Sequence, residues 1–339
     1  MLYDKTGPFF VAEMSANHLG SFDRAIAIID AAAQSGASAV KFQTYTAETM
    51  TLNLDEFSVS DDHALWGKRK LYDLYQEAHM PWEWHPALFE HCRSLGLIPF
   101  SSPFDLTAVA FLESLDASMY KIASLETGDH QLIRAVAETH KPLIISTGAT
   151  NWAEIEQLVD VVMETGNTNL TLLVCTSSYP SDPLDAHINR MSTLRNRFGV
   201  KVGLSDHTLG IGVSIAAIAL GATVIERHFT LLRADGGADA AFSLEPKEFA
   251  QLVAEGRAAF SALGSEKWMI QASEGESRRL RRSLYIVKDV KAGDRVTKEN
   301  VRAIRPGGGS EPKQLDSFLG KVFKRDLVIG TPMDASLLD

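Results

Sequence analysis

Residues 200–230 read VKVGLSDHTLGIGVSIAAIALGATVIERHFT. Val200–Leu204 and Thr223–Phe229 are short runs rich in β-branched residues, and residues 211–220 between them space their apolar positions as a helix does. Gly221 follows as the helix stop. Strand, helix and strand within thirty residues make a βαβ unit, whose two strands must run parallel. The apolar stretch Ile211–Ile225 is interrupted by Gly212, Ser214, Gly221 and Thr223 and stops at Glu226 and Arg227. It falls short of the ~20 residues that a membrane span requires.

The same unit repeats on the N-terminal side. Strand-like runs occupy Phe9–Glu13, Ala39–Gln43, Ile98–Ser102, Met119–Ala123, Leu143–Thr147 and Leu170–Cys175. Helical spacing fills 23–35, 85–95, 106–115, 129–140, 152–165 and 186–197, with Gly36 and Gly96 as further stops. Eight strand–helix units predict a (β/α)8 TIM barrel of parallel strands, with a doubly wound open sheet as the alternative. A last helix spans 247–263, and the run Arg278, Arg279, Arg281, Arg282 marks an exposed boundary. The remainder alternates short β-like runs with turns. The expected domains are therefore 1–280, the barrel, and 281–339, a small β-rich unit. Residues 44–84 form a long excursion after the second strand, carrying Trp66, Trp82 and Trp84. Such insertions either build the face that binds ligand or form a stabilising subdomain.

Composition narrows the class. The chain has 339 residues, 45% hydrophobic, 22% charged and 8% aromatic, as ordinary globular proteins do. Its formal net charge of -10 argues against nucleic-acid binding, which needs a cationic footprint. That charge is uneven: residues 281–339 hold 12 Lys+Arg against 8 Asp+Glu, so the tail is basic and the body acidic. Either the tail docks on the body or it brings cations to an anionic ligand. The N-terminus MLYDKTGPFF lacks a basic patch followed by an apolar run, and only Cys92 and Cys175 occur, so a cytoplasmic protein with no membrane association is expected.

Reacting groups of a barrel enzyme sit where its strands end. Those ends offer Glu13 with Asn17 and His18, Lys41 with Gln43, Ser101 with Ser102, Lys121 with Ser124 and Glu126, Ser146 with Thr147, Thr176 to Tyr179, Ser205 with His207, and Glu226 with His228. One polar strand end is an ordinary turn signal, but eight in register are not. Two lysines among hydroxyls suit a small ligand bearing phosphate and carboxylate. His207 and His228 end consecutive strands and can offer two imidazoles to one divalent ion, leaving its other positions open. Glu13, in the apolar context FFVAEM, is suited to proton transfer if burial raises its pKa, and equally to a salt bridge with Lys41. His63, His79, His85, His91, His130, His140 and His187 read as structural. Cys175, inside LTLLVC, reads as an inert buried thiol. PGGGS at 306–310 reads as a flexible turn, since it lacks the context of a nucleotide loop.

Taken together, AEMSANHLG (12–20), KFQT (41–44), SSPFD (101–105), YKIAS (120–124), STGAT (146–150), CTSSYP (175–180), GLSDHT (203–208) and ERHFT (226–230) resemble the sialic acid synthase family. RRSLY (281–285) and IRPGGG (304–309) resemble that family's C-terminal antifreeze-like SAF domain, a β-clip. The resemblance implies condensation of phosphoenolpyruvate with an N-acetylated amino sugar in a metal-assisted barrel. The implied metal is Mn2+, with Mg2+ or Co2+ as alternatives, and the implied assembly a domain-swapped homodimer. It makes His207 and His228 the metal ligands, Glu13 the acid/base, and Lys121 the other catalytic group, acting by electrostatic stabilisation. Lys41, Lys121, Ser124, Ser146 and Ser205 become phosphoenolpyruvate contacts, and Gln43, Glu126, Tyr179 and Asp239 sugar-side contacts. Arg305 becomes the arginine that reaches the partner's site. Ser102 and Ser177 are substrate contacts where this chain departs from the family's usual threonine and asparagine.

ADGGADAAFSLEP at 234–246 resembles the pseudaminic acid synthase branch, and Ala240, Ala241 and Phe242 are expected to add apolar pocket wall there. The N-acetylneuraminic and legionaminic branches remain alternatives, with a metal-dependent pyruvate aldolase and a non-catalytic sugar-binding protein more remote.

Overall fold

The computed structural model describes residues 7–60, 66, 67 and 69–339. His63 and part of the long excursion lie outside the described residues. The chain divides into two compact units, Met1–Gly264 and Ser265–Asp339.

The first unit is a closed parallel barrel of eight strands in sequence order. These are β1 (Phe9–Glu13), β2 (Ala39–Thr44), β3 (Ile98–Pro103), β4 (Tyr120–Ile122), β5 (Leu143–Ser146), β6 (Leu170–Cys175), β7 (Lys201–Ser205) and β8 (Val224–His228). β1 pairs with β8, Val11 opposite Glu226 and Glu13 opposite His228, which excludes the open-sheet alternative. Among the described residues of this unit ten α-helices follow the strands: α1 (Phe22–Gln34), α2 (Ala47–Met50), α3 (Leu71–Ala78), α4 (His85–Ser94), α5 (Leu106–Ser114), α6 (His130–Ala137), α7 (Trp152–Glu164), α8 (Arg190–Phe198), α9 (Gly212–Ala219) and α10 (Pro246–Leu263). Short polar residues start several of them. Asp105 accepts from the N–H groups of Thr107 and Ala108, Asp129 from that of Leu132, and Asn151 forms a reciprocal box with Glu154.

Alternation along the strands sorts side chains between barrel axis and helix layer. Val11, Ala39, Phe100, Met119, Ile144 and Leu173 belong to one buried apolar cluster that fills the lower axis. Residues of opposite parity, such as Phe10, Val40, Ile145 and Ile225, join the larger cluster under the helices. At Gly203 the axis has no room for a side chain: a Cβ there would stand 2.3 Å from the carbonyl oxygen of Val224.

The excursion after β2 contains α2, α3 and a bridge between Ser58 and Lys70. Trp82 donates from Nε1 to the Tyr45 carbonyl, and Trp84 packs edge-on against His18 and Phe22. Those two tryptophans are therefore structural. Trp66 donates to the Ala238 carbonyl and lies 5.9 Å from the Tyr179 ring, beside the cavity described below.

In the second unit β9 (Ser283–Ile286) and β10 (Val301–Ile304) pair antiparallel. Leu284, Ile286, Val301, Phe318, Phe323 and Met333 anchor its own core. The PGGGS segment is not the flexible turn expected from sequence. A Cβ on Gly309 would meet the Leu284 carbonyl oxygen at 2.1 Å, so close backbone packing requires glycine there. Among the described residues no helix is long and apolar enough to cross a membrane.

Candidate active site

Two residues beyond the apolar layer, the same alternation turns Glu13, Lys41, Ser102, Lys121, Ser146, Ser205 and Glu226 inward, and all are buried. Lys41 Nζ stands 3.3 Å from Glu13 Oε2 and 3.3 Å from Glu226 Oε1, with Ser102 Oγ at 3.4 Å. Lys121 Nζ lies 3.5 Å from the same Glu226 oxygen, which also accepts from Ser205 Oγ at 3.2 Å. Gln43 Nε2 donates to Glu13 Oε1 and to Ser15 Oγ, both at 2.9 Å. The Glu13–Lys41 salt bridge is thus present.

Its electrostatics separate the two carboxylates. Burial pushes Glu13 up to about 7, opposed by Lys41 and assisted by the negative charge of Glu226. Burial acts on Glu226 in the same direction, but Lys121 and Lys41 outweigh it and hold that carboxyl at about 2. One group is a permanent anion and the other is poised to exchange a proton near neutrality, the usual division of labour in acid–base sites. Burial also pulls Lys121 below the ordinary lysine range.

The histidines follow directly. The His207 and His228 rings are 5.3 Å apart, with Tyr179 4.5 Å from the first and Phe242 4.8 Å from the second. His207 Nδ1 is 2.9 Å from the Thr176 carbonyl oxygen, to which it donates, so the lone pair on Nε2 is free to bind an ion. His228 Nδ1 is buried without a partner among the described residues. No group of three or more His, Cys, Asp or Glu gathers there or elsewhere among the described residues, so the chain offers two imidazoles and leaves other positions to water or substrate oxygen. These donors fit a divalent ion with an open coordination sphere. Cys175 is buried as expected but not isolated: its Sγ is 3.9 Å from His207 Nδ1, and that imidazole holds the thiol at about 7 against the effect of burial.

Gly148 crowds the next group of contacts together. Its N–H donates to Ser124 Oγ at 3.1 Å, and a Cβ in its place would lie 2.3 Å from Ser177 Oγ. Ser146 Oγ and Glu126 Oε2 are buried without partners among the described residues, as groups that wait for a ligand are.

Over this layer opens a cavity of ≈ 370 Å³. Ser15, Gln43, Ser124, Glu126, Tyr179, His228 and Asp239 supply its polar lining. Its apolar lining comes from Tyr45, Met50, Val59, Leu71, Leu74 and Tyr75 of the excursion, with Phe104 after β3. The expected wall from Ala240–Phe242 is not there. Phe242 and Ala240 are buried, and Phe242 supports the Tyr179, His207 and His228 rings rather than facing the cavity. Asp239 does reach the cavity and accepts from the Ala16 N–H at 3.3 Å.

Sequence reading left three things out. Glu226 was noted at a strand end without a role, although a strand that turns His228 inward must turn Glu226 inward too. Ser15 was quoted within AEMSANHLG without a role, and the apolar wall gave no motif. Conversely, Asn17 and His18 serve the scaffold. Asn17 donates to Phe229 O and Ser243 Oγ, and His18 Nδ1 accepts from the Gly20 N–H. Arg305 is exposed in the second unit, after β10.

The NeuB family model matches residues 28–268, and the SAF domain model matches residues 281–339. The pseudaminic acid synthase of Campylobacter jejuni is 42% identical over 322 residues, covering 95% of this chain and 94% of that protein. The N,N'-diacetyllegionaminic acid synthase of the same species is 34% identical over 328 residues, covering 94% and 98%. Among solved structures, the N-acetylneuraminic acid (sialic acid) synthetase of Leptospira borgpetersenii in complex with citrate gives a TM-score of 0.72 at 32% identity, over 80% of this chain and 90% of that one. On these matches, and with a barrel whose strand ends carry the motifs that first resembled such synthases, the chain belongs to the NeuB family and ends in a SAF domain.

Proposed function

We propose that the chain is a pseudaminic acid synthase, joining phosphoenolpyruvate to 2,4-diacetamido-2,4,6-trideoxy-L-altrose with release of phosphate. The observation that carries this reading is the layer in which Lys41 and Lys121 share Glu226 while Glu13 sits at about 7 beside a pair of imidazoles. The identity of 42% to a pseudaminic acid synthase, against 34% to a legionaminic acid synthase of the same species, supports the choice of acceptor.

In this reading Lys41, Lys121, Ser124, Ser146 and Ser205 hold the carboxylate and phosphate of phosphoenolpyruvate. Gln43, Glu126, Tyr179 and Asp239 hold the sugar, and Ser102 and Ser177 are further substrate contacts. C3 of phosphoenolpyruvate attacks the aldehyde carbon, and Glu13 handles the proton at the oxygen that becomes a hydroxyl. Water adds at C2, the C2–O bond breaks, and phosphate departs with the bridging oxygen. Lys121 and Lys41 offset the negative charge of the phosphate throughout. A divalent ion held by His207 and His228, most simply Mn2+ with Mg2+ or Co2+ as alternatives, would polarise the aldehyde oxygen.

The reading extends to the whole chain as a cytoplasmic, domain-swapped homodimer in which Arg305 serves the partner's site. In this reading the barrel domain is 1–280 and the SAF domain 281–339. Phosphoenolpyruvate labelled with 18O in the C2–O bridge tests the chemistry. Label in the released phosphate supports C–O cleavage, whereas label kept in the organic product, or no phosphate at all, overturns it.

A further inference from the structure

Ser205, His207, Glu226 and His228 face the barrel axis, so the residues between them, Asp206 and Arg227, face outward toward α9. Their side chains are 1% and 0% exposed and meet as a buried ion pair, Arg227 Nη1 to Asp206 Oδ2 at 2.6 Å. The other arm of the guanidinium, Nη2, donates to the Thr208 carbonyl at 2.6 Å. The residue before His228 therefore grips the chain on both sides of His207.

The backbone leaves this task open. The β7–β8 ladder pairs Leu204 with Ile225 and Ser205 with Glu226, and ends where the Asp206 N–H donates to the Glu226 carbonyl. Beyond it the two strand ends turn to other neighbours. The His207 carbonyl accepts from Ser181, while the Phe229 N–H donates to the Glu13 carbonyl. No ladder bond links the His207 and His228 positions among the described residues.

The Asp206 carboxylate is itself fixed from four directions. Besides Arg227 it accepts from the Thr208 N–H at 2.9 Å, Thr208 Oγ1 at 2.7 Å and Ser214 Oγ of α9 at 2.5 Å. A planar fork with one arm on a saturated carboxylate and the other on the Thr208 carbonyl is a rigid spacer, which a single ammonium cannot reproduce.

We propose that the Asp206–Arg227 clasp positions His207 and His228 for joint binding of one ion, setting their spacing where the β-ladder does not. The proposal rests on the metal reading above. Neither residue touches the ion, so both are positioning residues.

The test titrates Mn2+ alone into metal-stripped full-length protein and follows the electron paramagnetic resonance of the free ion. Arg227→Lys keeps the charge and loses the fork. Mn2+ affinity is expected to weaken about 10- to 100-fold, the scale at which groups behind metal ligands act. Turnover of this variant should recover at saturating Mn2+, with the KM for phosphoenolpyruvate unchanged. Because a half-broken buried pair can prevent folding, Asp206→Leu with Arg227→Met forms the second variant, removing both charges at similar volume. It is expected to keep its melting temperature and still bind Mn2+ weakly. Parental affinity in either folded variant overturns the clasp, and so does failure of both to fold, which assigns the pair to stability alone. A parent chain that takes up no Mn2+ overturns the metal reading and the clasp with it.

Discussion

Lys41 Nζ is equidistant from two carboxylates, 3.3 Å from Glu226 Oε1 and 3.3 Å from Glu13 Oε2, and all three groups are buried. Burial alone would lower the lysine's pKa, but the paired carboxylates raise it. Lys41→Met removes the cation beside Glu13 and leaves Glu226 with Lys121 as its ion-pair partner in a dry layer. Loss of one partner of a buried pair costs about 3–5 kcal/mol. That loss should appear in denaturant unfolding at pH 7.5 and shrink at pH 5, where protonation relieves the repulsion. An equal loss at both pH values would mean that packing, not charge, is what Lys41 contributes.

Glu13 sets the sign of a second pH effect. Its folded pKa, about 7, exceeds its ordinary value of 4.5, so the folded state binds the proton more tightly than the unfolded chain does. The stability from this group is complete below pH 4.5 and is lost as pH rises through 7. Glu13→Gln imitates the protonated form at every pH. Relative to the parent it should therefore gain stability between pH 5 and 8, while kcat falls roughly 10²-fold. The parental kcat/KM profile should carry a limb near pH 7 that the variant lacks. A parental profile flat through that range returns Glu13 to a purely structural ion pair.

How far the site was legible follows from what produces each part. The barrel was readable because a buried parallel strand bounded by turn signals marks itself in a run of five or six residues, as in FFVAE or LTLLVC. Glu13, Lys41, Lys121, His207 and His228 were readable because alternation and strand end place them without knowledge of contacts. The apolar wall was not, since Met50, Val59 and Leu74 come together only when an irregular excursion folds over the mouth. The misjudged role of Phe242 has the same origin: its position in a loop near the mouth is local, but its burial under three rings is tertiary.

Metal dependence is the third expectation. Among the described residues the site gathers two imidazoles, so losing either would leave a single ligand. Chelation should abolish turnover, Mn2+ should restore it, and His207→Ala or His228→Ala should each lower metal occupancy measured by elemental analysis. Full activity in metal-free protein would exclude this role for the pair.

Arg305 offers a test of sharing between subunits. Removal of residues 281–339 should weaken sugar binding more than Mn2+ binding, since the two histidines belong to the barrel. If sites are shared, a mixed dimer of Arg305→Ala and Glu13→Gln subunits contains one site with both groups intact. Activity well above either parent variant is expected, and its absence in a verified mixed dimer indicates that Arg305 acts within its own chain.

The wall that the excursion builds gives a test of the acceptor sugar. Tyr45, Met50, Val59, Leu71, Leu74 and Phe104 line one cavity together with Gln43, Glu126 and Asp239, so it suits an occupant that carries both polar and methyl groups. A 6-deoxy sugar with acetamido substituents satisfies this. N-acetylmannosamine presents a 6-hydroxyl, which would lose water against apolar carbon without a partner, at about 1–3 kcal/mol. Its kcat/KM should accordingly be lower by roughly 5- to 150-fold, measured at saturating phosphoenolpyruvate. Leu74 is buried and lines that wall, so Leu74→Asn should narrow the ratio by raising KM for the 6-deoxy sugar and supplying a partner to the hydroxyl. Parental preference for N-acetylmannosamine would refute the acceptor assignment while leaving the condensation chemistry intact, and an unchanged ratio in Leu74→Asn would move recognition of the methyl group elsewhere in the cavity.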